Sequence, residues 1–123
     1  MHVVSMKFEP PSGLRDDGSP LGKAANVFTS LSNTVRLAVL VRVIEREWSV
    51  NELAAELKIS QSALSQHLGK LRQARIVKVR RQSQSIFYRC DDDLVLRLLA
   101  EAGLLRRKLV KFRRNRASTS IKR

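Results

Sequence analysis

Between residues 23 and 74 apolar side chains recur at steps of three and four, the spacing of an amphipathic helix face. Ala24, Val27, Phe28 and Leu31 predict a first helix ending near Ser32-Asn33. Asn33 is a suitable cap for a second helix over residues 34–46. There Val35, Leu37, Ala38, Leu40, Val41 and Ile44 cover more than half the circumference, which predicts a central, buried helix closed by Glu47-Trp48. Ser49 and Glu52 have the spacing of a capping box ahead of Val50, Leu53, Ala54 and Leu57, so a short third helix is expected. Lys58-Ile59 then leads to Ser60, a cap for a fourth helix over residues 61–74. Two short helices joined by a tight turn form a helix-turn-helix unit.

The period then changes to two. Val77, Val79 and Arg81, followed by Ile86, Tyr88 and Cys90, predict a β-hairpin around residues 82–85. No Asn-Gly or Gly-rich pair marks the turn, so a loose, mobile tip is expected. Asp91, Asp92 and Asp93 cap a fifth helix whose apolar stripe runs through Leu94, Val95, Leu98, Ala102, Leu105, Leu109 and Phe112. Gly103 weakens that helix by ~1 kcal/mol relative to alanine. Pro10-Pro11, Gly13, Gly18 and Pro20 make residues 1–21 an expected mobile arm. Residues 22–105 form the expected domain, mainly α with a small β-hairpin, and residues 106–123 a basic extension.

With 123 residues, the chain buries a modest core, which makes pairing with a second copy a reasonable expectation. One cysteine and two histidines leave no disulfide, Cys-x-x-Cys pair or four-cysteine zinc site, and no metal or other cofactor is expected. Arg36, Arg42 and Glu45-Arg46 interrupt the most apolar stretch, so no membrane span is expected. The residues before Lys7 are too few for a secretory core, and the expected location is the cytoplasm, at the nucleoid.

The 24 Lys and Arg against 11 Asp and Glu leave +13, which favours a polyanionic partner. Residues 106–123 hold nine basic side chains and no acid, either a phosphate-binding extension or a solubilising end. On the fourth helix Leu64, Leu68 and Leu71 form the inward stripe, which turns a polar, uncharged face outward. Gln61, Ser62, Ser65 and Gln66 on that side suit base edges in a major groove, since glutamine pairs bidentately with adenine and serine with any base. Gly69 would admit a close backbone approach. Phosphate contacts are expected from His67, Lys70, Arg80, Arg81, Gln82, Ser83, Gln84, Ser85 and Tyr88. His67, at the edge of the leucine stripe, reads first as a half-buried histidine bonded to backbone, with a phosphate contact in addition, and a charged edge strand is the alternative for the hairpin.

The element order, together with Leu31-Ser32-Asn33-x-x-Arg36-Leu37, Glu52-Leu53-Ala54 and the run from Ser60 through Gln66-His67-Leu68 to Leu71-Arg72, resembles the ArsR/SmtB winged-helix repressors over residues 24–102. The resemblance implies a winged helix-turn-helix homodimer paired through its first and last helices, which places Val27, Phe28, Leu31, Leu94, Val95, Leu98, Ala102 and Leu105 at the pairing surface. It also implies a double-stranded DNA operator of dyad symmetry, bound to block transcription. Metal-sensing members carry Cys-Val-Cys where this chain has Ser49-Val50-Asn51, and a second family site falls on Asp92, Leu94, Leu105 and Lys108. The resemblance therefore points to members without the metal site, and no small-molecule ligand is identifiable. A paired-thiol sensor needs two cysteines, and Cys90 stands alone. No nucleophile, acid–base pair or activating metal motif supports catalysis. The competing function is a non-specific nucleic-acid-binding protein of the nucleoid or of RNA, driven by the basic extension.

Overall fold

Each helix begins where a short polar side chain satisfies its first free amides. In the computed structural model, which describes residues 18–106, Ser19 Oγ accepts from Gly22 N at 3.2 Å and starts α1 (Pro20–Leu31). Asn33 Oδ1 accepts from Arg36 N at 3.1 Å and starts α2 (Thr34–Val43). Ser49 and Glu52 close the expected capping box on α3 (Val50–Leu57) through bonds of 3.0 and 2.9 Å. Ser60 caps α4 (Gln61–Gln73), and Asp92 caps α5 (Asp93–Glu101). Proline at the first helical position after Ser19 carries α1 back into the expected arm, so the domain starts earlier than residue 22. The rest of that arm, residues 1–17, and the basic extension beyond Arg106 lie outside the described residues.

Three helices end in the same way. At α3, α4 and α5, bonds from Ile59 N to Ala54 O, Ile76 N to Leu71 O, and Leu104 N to Leu99 O close Schellman turns. The left-handed residue is Lys58 (φ 56°), Arg75 (φ 61°) and Gly103 (φ 76°) respectively. Gly103 therefore stops α5, correcting the expectation of a helix continuing to Phe112. Leu109 and Phe112 lie outside the described residues.

The helix expected to reach residue 46 ends at Val43, and the chain then forms a strand too short to show a period, β1 (Trp48–Ser49). With β2 (Lys78–Gln82) and β3 (Ser85–Arg89) it makes an antiparallel sheet of order β1-β3-β2, pairing Trp48 with Tyr88 and Tyr88 with Val79. The hairpin turn is tight, not loose: Gln82 pairs with Ser85, leaving Ser83-Gln84 as a two-residue turn. Ser83 accepts the positive φ, 55°, that such a turn needs and that glycine normally supplies.

The core lies between α2, α3, α4, the sheet and α5. Val39, Leu40, Val43, Leu53, Leu64, Leu71, Cys90 and Val95 have no exposure to solvent. Each large apolar side chain so buried contributes about 1.5–3 kcal/mol.

Arg36 is the exception in this interior, 7% exposed although charged. Its Nε donates to Ser30 O at 2.8 Å, Nη2 to Thr29 O at 3.2 Å, and Nη1 to His67 Nδ1 at 3.3 Å. Removing a cation from water costs several kcal/mol. Hydrogen bonds from a charged donor return about 1.5–3 kcal/mol each, so all three are needed to offset the burial. The two carbonyls belong to the last turn of α1, where the helix dipole also favours a cation. The chain turns by 101° between α1 and α2, and Arg36 fixes that corner to α4 through His67. Among the described residues no single helix is long and apolar enough to cross a membrane.

Lys58 and Arg75 hold a backbone conformation that costs a residue with a Cβ about 1–2 kcal/mol. Lys58→Gly and Arg75→Gly should each raise unfolding stability by roughly 0.5–1 kcal/mol, after glycine's own entropic cost. Urea unfolding checks this through the midpoint at constant slope, and an unchanged or lowered midpoint would contradict the turn assignment.

Candidate nucleic-acid interface

Helix α4 turns Leu64, Leu68 and Leu71 into the core and leaves Gln61, Ser62, Ser65 and Gln66 exposed. The structure thus places all four expected base-reading side chains on one solvent-facing helix surface. Gln61 is not free on that surface: its Nε2 donates to Asn51 Oδ1 at the start of α3. One amide N–H and the carbonyl oxygen of Gln61 stay available, held in a chosen orientation. The contribution of Asn51 is invisible in sequence patterning, because it spans two helices. Gly69 has no internal reason to be glycine. A Cβ there would meet only Arg72 Nη2 at 3.7 Å, ordinary contact, so the helix accepts the glycine penalty without gaining packing.

His67 is half-buried, bonded to the Arg36 side chain instead of a backbone group. A guanidinium only donates, so Nδ1 must accept, and the imidazole proton resides on Nε2. Lys70 is exposed beside it. Tyr88 is 3% exposed and paired in the centre of the sheet, so the expected phosphate contact from its ring is corrected to a core role. The alternation that marked it as a strand residue does not say which face the core covers.

The wing, β2, β3 and their turn, is a charged edge with an internal circuit. Arg80 forms a forked ion pair with Glu47, Nε to Oε2 at 2.9 Å and Nη2 to Oε1 at 2.7 Å. It also donates to Gln82 Oε1 at 2.6 Å and lies over the Phe87 ring, 4.5 Å from its centroid. Hydrogen bonding from Arg80 holds the Glu47 carboxyl below the usual carboxylate range, against the opposing effect of desolvation. Arg89 does the same to Asp91, with Lys78 a further cation 3.5 Å away. Arg80 and Gln82, both expected at phosphates, are thus engaged within the chain. Arg81, Ser83, Gln84 and Ser85 are exposed, and Arg81 has no ion pair among the described residues.

Between α4 and the wing runs a cleft of about 260 Å³, lined among others by Asn51, Gln61, Ser65, Arg72, Gln84 and Ser85. Arg72 projects from the last turn of α4, and the sequence reading did not assign it a contact. Its signal was present as a lone cation on an otherwise uncharged flank. Among the described residues no three His, Cys, Asp or Glu side chains gather to hold a metal ion. Where the resemblance would put a thiolate, Asn51 instead holds Gln61 of α4, so these residues do not fit a metal site.

The profile described as "Bacterial regulatory protein, arsR family" matches residues 33–79, which span α2, α3, α4 and the start of the wing. The chain is 41% identical over 92 residues to the HTH-type transcriptional regulator KmtR of Mycobacterium tuberculosis, covering 75% of this chain and 69% of that one. The crystal structure of NolR from Sinorhizobium fredii superposes with a TM-score of 0.64 at 34% identity, covering 79% of this chain and 93% of that one. A homodimeric winged helix-turn-helix DNA-binding domain from Mycobacterium bovis superposes with a TM-score of 0.62 at 27% identity, over 68% of this chain and 78% of that domain. Together with the capped helix-turn-helix and its wing, these likenesses establish that the chain belongs to the arsR family, as a winged-helix, DNA-binding transcriptional regulator and not an enzyme.

Proposed function

We propose that this regulator binds a dyad-symmetric operator as a homodimer in the cytoplasm and blocks transcription initiation there, without metal. The observation that carries the reading is the uncharged polar face of α4, on which Gln61, Ser62, Ser65 and Gln66 stand exposed beside Gly69. Gln66 and Gln61 meet base edges, Ser62 and Ser65 supplement them, and Gly69 lets the groove wall approach. Phosphates fall to His67 through its Nε2–H, to Lys70, Arg72 and Arg81, and to Ser83, Gln84 and Ser85 at the wing tip.

Pairing uses α1 and α5. Phe28 is 56% exposed, and Leu94 is 40% exposed, with Leu31, Leu98 and Leu105 half-buried and Ala102 open to solvent. Val27 and Val95 are buried within the chain's own core, so they support that surface from below. The homodimeric relative of the same fold favours the arrangement. Two recognition helices would then lie about one DNA turn, ~34 Å, apart.

Selection from random duplexes at about 150 mM salt should enrich a palindrome with half-sites centred about 10 base pairs apart. On that site Gln66→Ala should cost ~1–3 kcal/mol and on random DNA almost nothing. Equal losses on both would remove α4 from base reading, and binding without enrichment would favour the non-specific alternative. Glu47→Gln releases Arg80 from its ion pair. The slope of log affinity against log salt should then steepen by about 1.8 for the dimer, one extra phosphate contact per protomer. An unchanged slope in a salt titration would show that Arg80 serves only to hold the wing.

A further inference from the structure

A second, smaller pocket of about 210 Å³ opens between the end of α1 and the end of α4, lined by Asn26, Thr29, Ser30, Arg36, Lys70 and Gln73. It is below the ~300–1,000 Å³ of drug-sized sites, so it suits a small ligand. Its charge is one-sided. Arg36 is more than nine-tenths buried and Lys70 is exposed, and among the described residues no carboxylate lines the pocket. A guanidinium carries five N–H groups, and the bonds to Ser30 O, Thr29 O and His67 Nδ1 use three. One N–H on each terminal nitrogen is left over. Buried cations are ordinarily matched by an acid, and none of the ion pairs among the described residues involves Arg36 or Lys70.

We propose that this pocket binds a phosphate-like oxyanion between the Arg36 guanidinium and the Lys70 ammonium. Two spare guanidinium N–H groups, the Lys70 ammonium and the Gln73 amide form a donor set for tetrahedral or carboxylate oxygens. Arg36 also holds His67, and Lys70 lies on the recognition helix, so an anion here would act on the posture of α4. The same chemistry is offered by a free small oxyanion and by a backbone phosphate of bound DNA.

The test uses the full chain without DNA, titrated with inorganic phosphate while sodium chloride holds ionic strength constant. The Arg36 Nε–H, bonded to Ser30 O at 2.8 Å, is the nuclear magnetic resonance reporter. A saturable shift is expected, weakened about tenfold by Lys70→Gln, the loss of one charge-assisted contact. Gln73→Glu should supply the missing acid and abolish the shift in a protein whose thermal unfolding midpoint is not lowered. Repeating the titration on the selected duplex complex separates the sources. A phosphate shift retained in the complex marks a free oxyanion, whereas a shift produced by the duplex that blocks added phosphate marks a DNA phosphate. A drift that chloride reproduces, or a saturable shift indifferent to both variants, would overturn the proposal, and neither depends on operator recognition.

Discussion

A positive charge that cannot return to water fixes the helical half of this domain. Arg36 sits in the first turn of α2, and its guanidinium is stable inside only while two α1 carbonyls and the His67 ring accept from it. Two consecutive helices and α4, distant from both in sequence, thereby share one geometry. The 101° corner between α1 and α2 and the tilt of α4 follow from a single side chain, because shifting any of the three would strand a buried cation. The same contact dictates which imidazole nitrogen of His67 carries its proton, and so which nitrogen faces outward.

Around that node the charges divide by task. The proposed base-reading face of α4 carries none, so discrimination between sequences there would be a matter of hydrogen-bond pattern and not of counterion release. Part of the wing's charge is neutralised at home, Arg80 by Glu47 and both Lys78 and Arg89 by Asp91. Of the chain's +13, residues 106–123 hold nine positive charges, so the winged helix itself has fewer free cations for DNA than the whole composition implies. Arg72, Arg75 and Arg81 carry no ion pair among the described residues and remain available to phosphates.

The helices were legible because capping and apolar period agree locally: Ser49 with Glu52 and Leu53, and Ser60 with Leu64, Leu68 and Leu71. Failures came where a long-range partner decides. β1 exists because Trp48 and Ser49 pair with Tyr88 and Phe87, and α2 ends at Val43, three residues before the expected residue 46. The tight turn at Ser83 was hidden since serine there adopts a glycine-like φ, and Gly103, read as a weak point in α5, is its terminator. In the interface, the exposed set on α4 was readable from periodicity alone. The Asn51 to Gln61 bond, the Glu47 to Arg80 pair and the burial of Tyr88 join positions that no local pattern connects.

The most direct measurement is native-state hydrogen exchange on Arg36→Lys, which keeps the charge but loses the forked geometry. The last turn of α1 and the amides of α4 from Leu64 to Leu71 should lose protection together, by a common factor, while the paired amides of β2 and β3 keep theirs. Loosening confined to α1, or a uniform loss across the whole domain, would contradict the role assigned to Arg36.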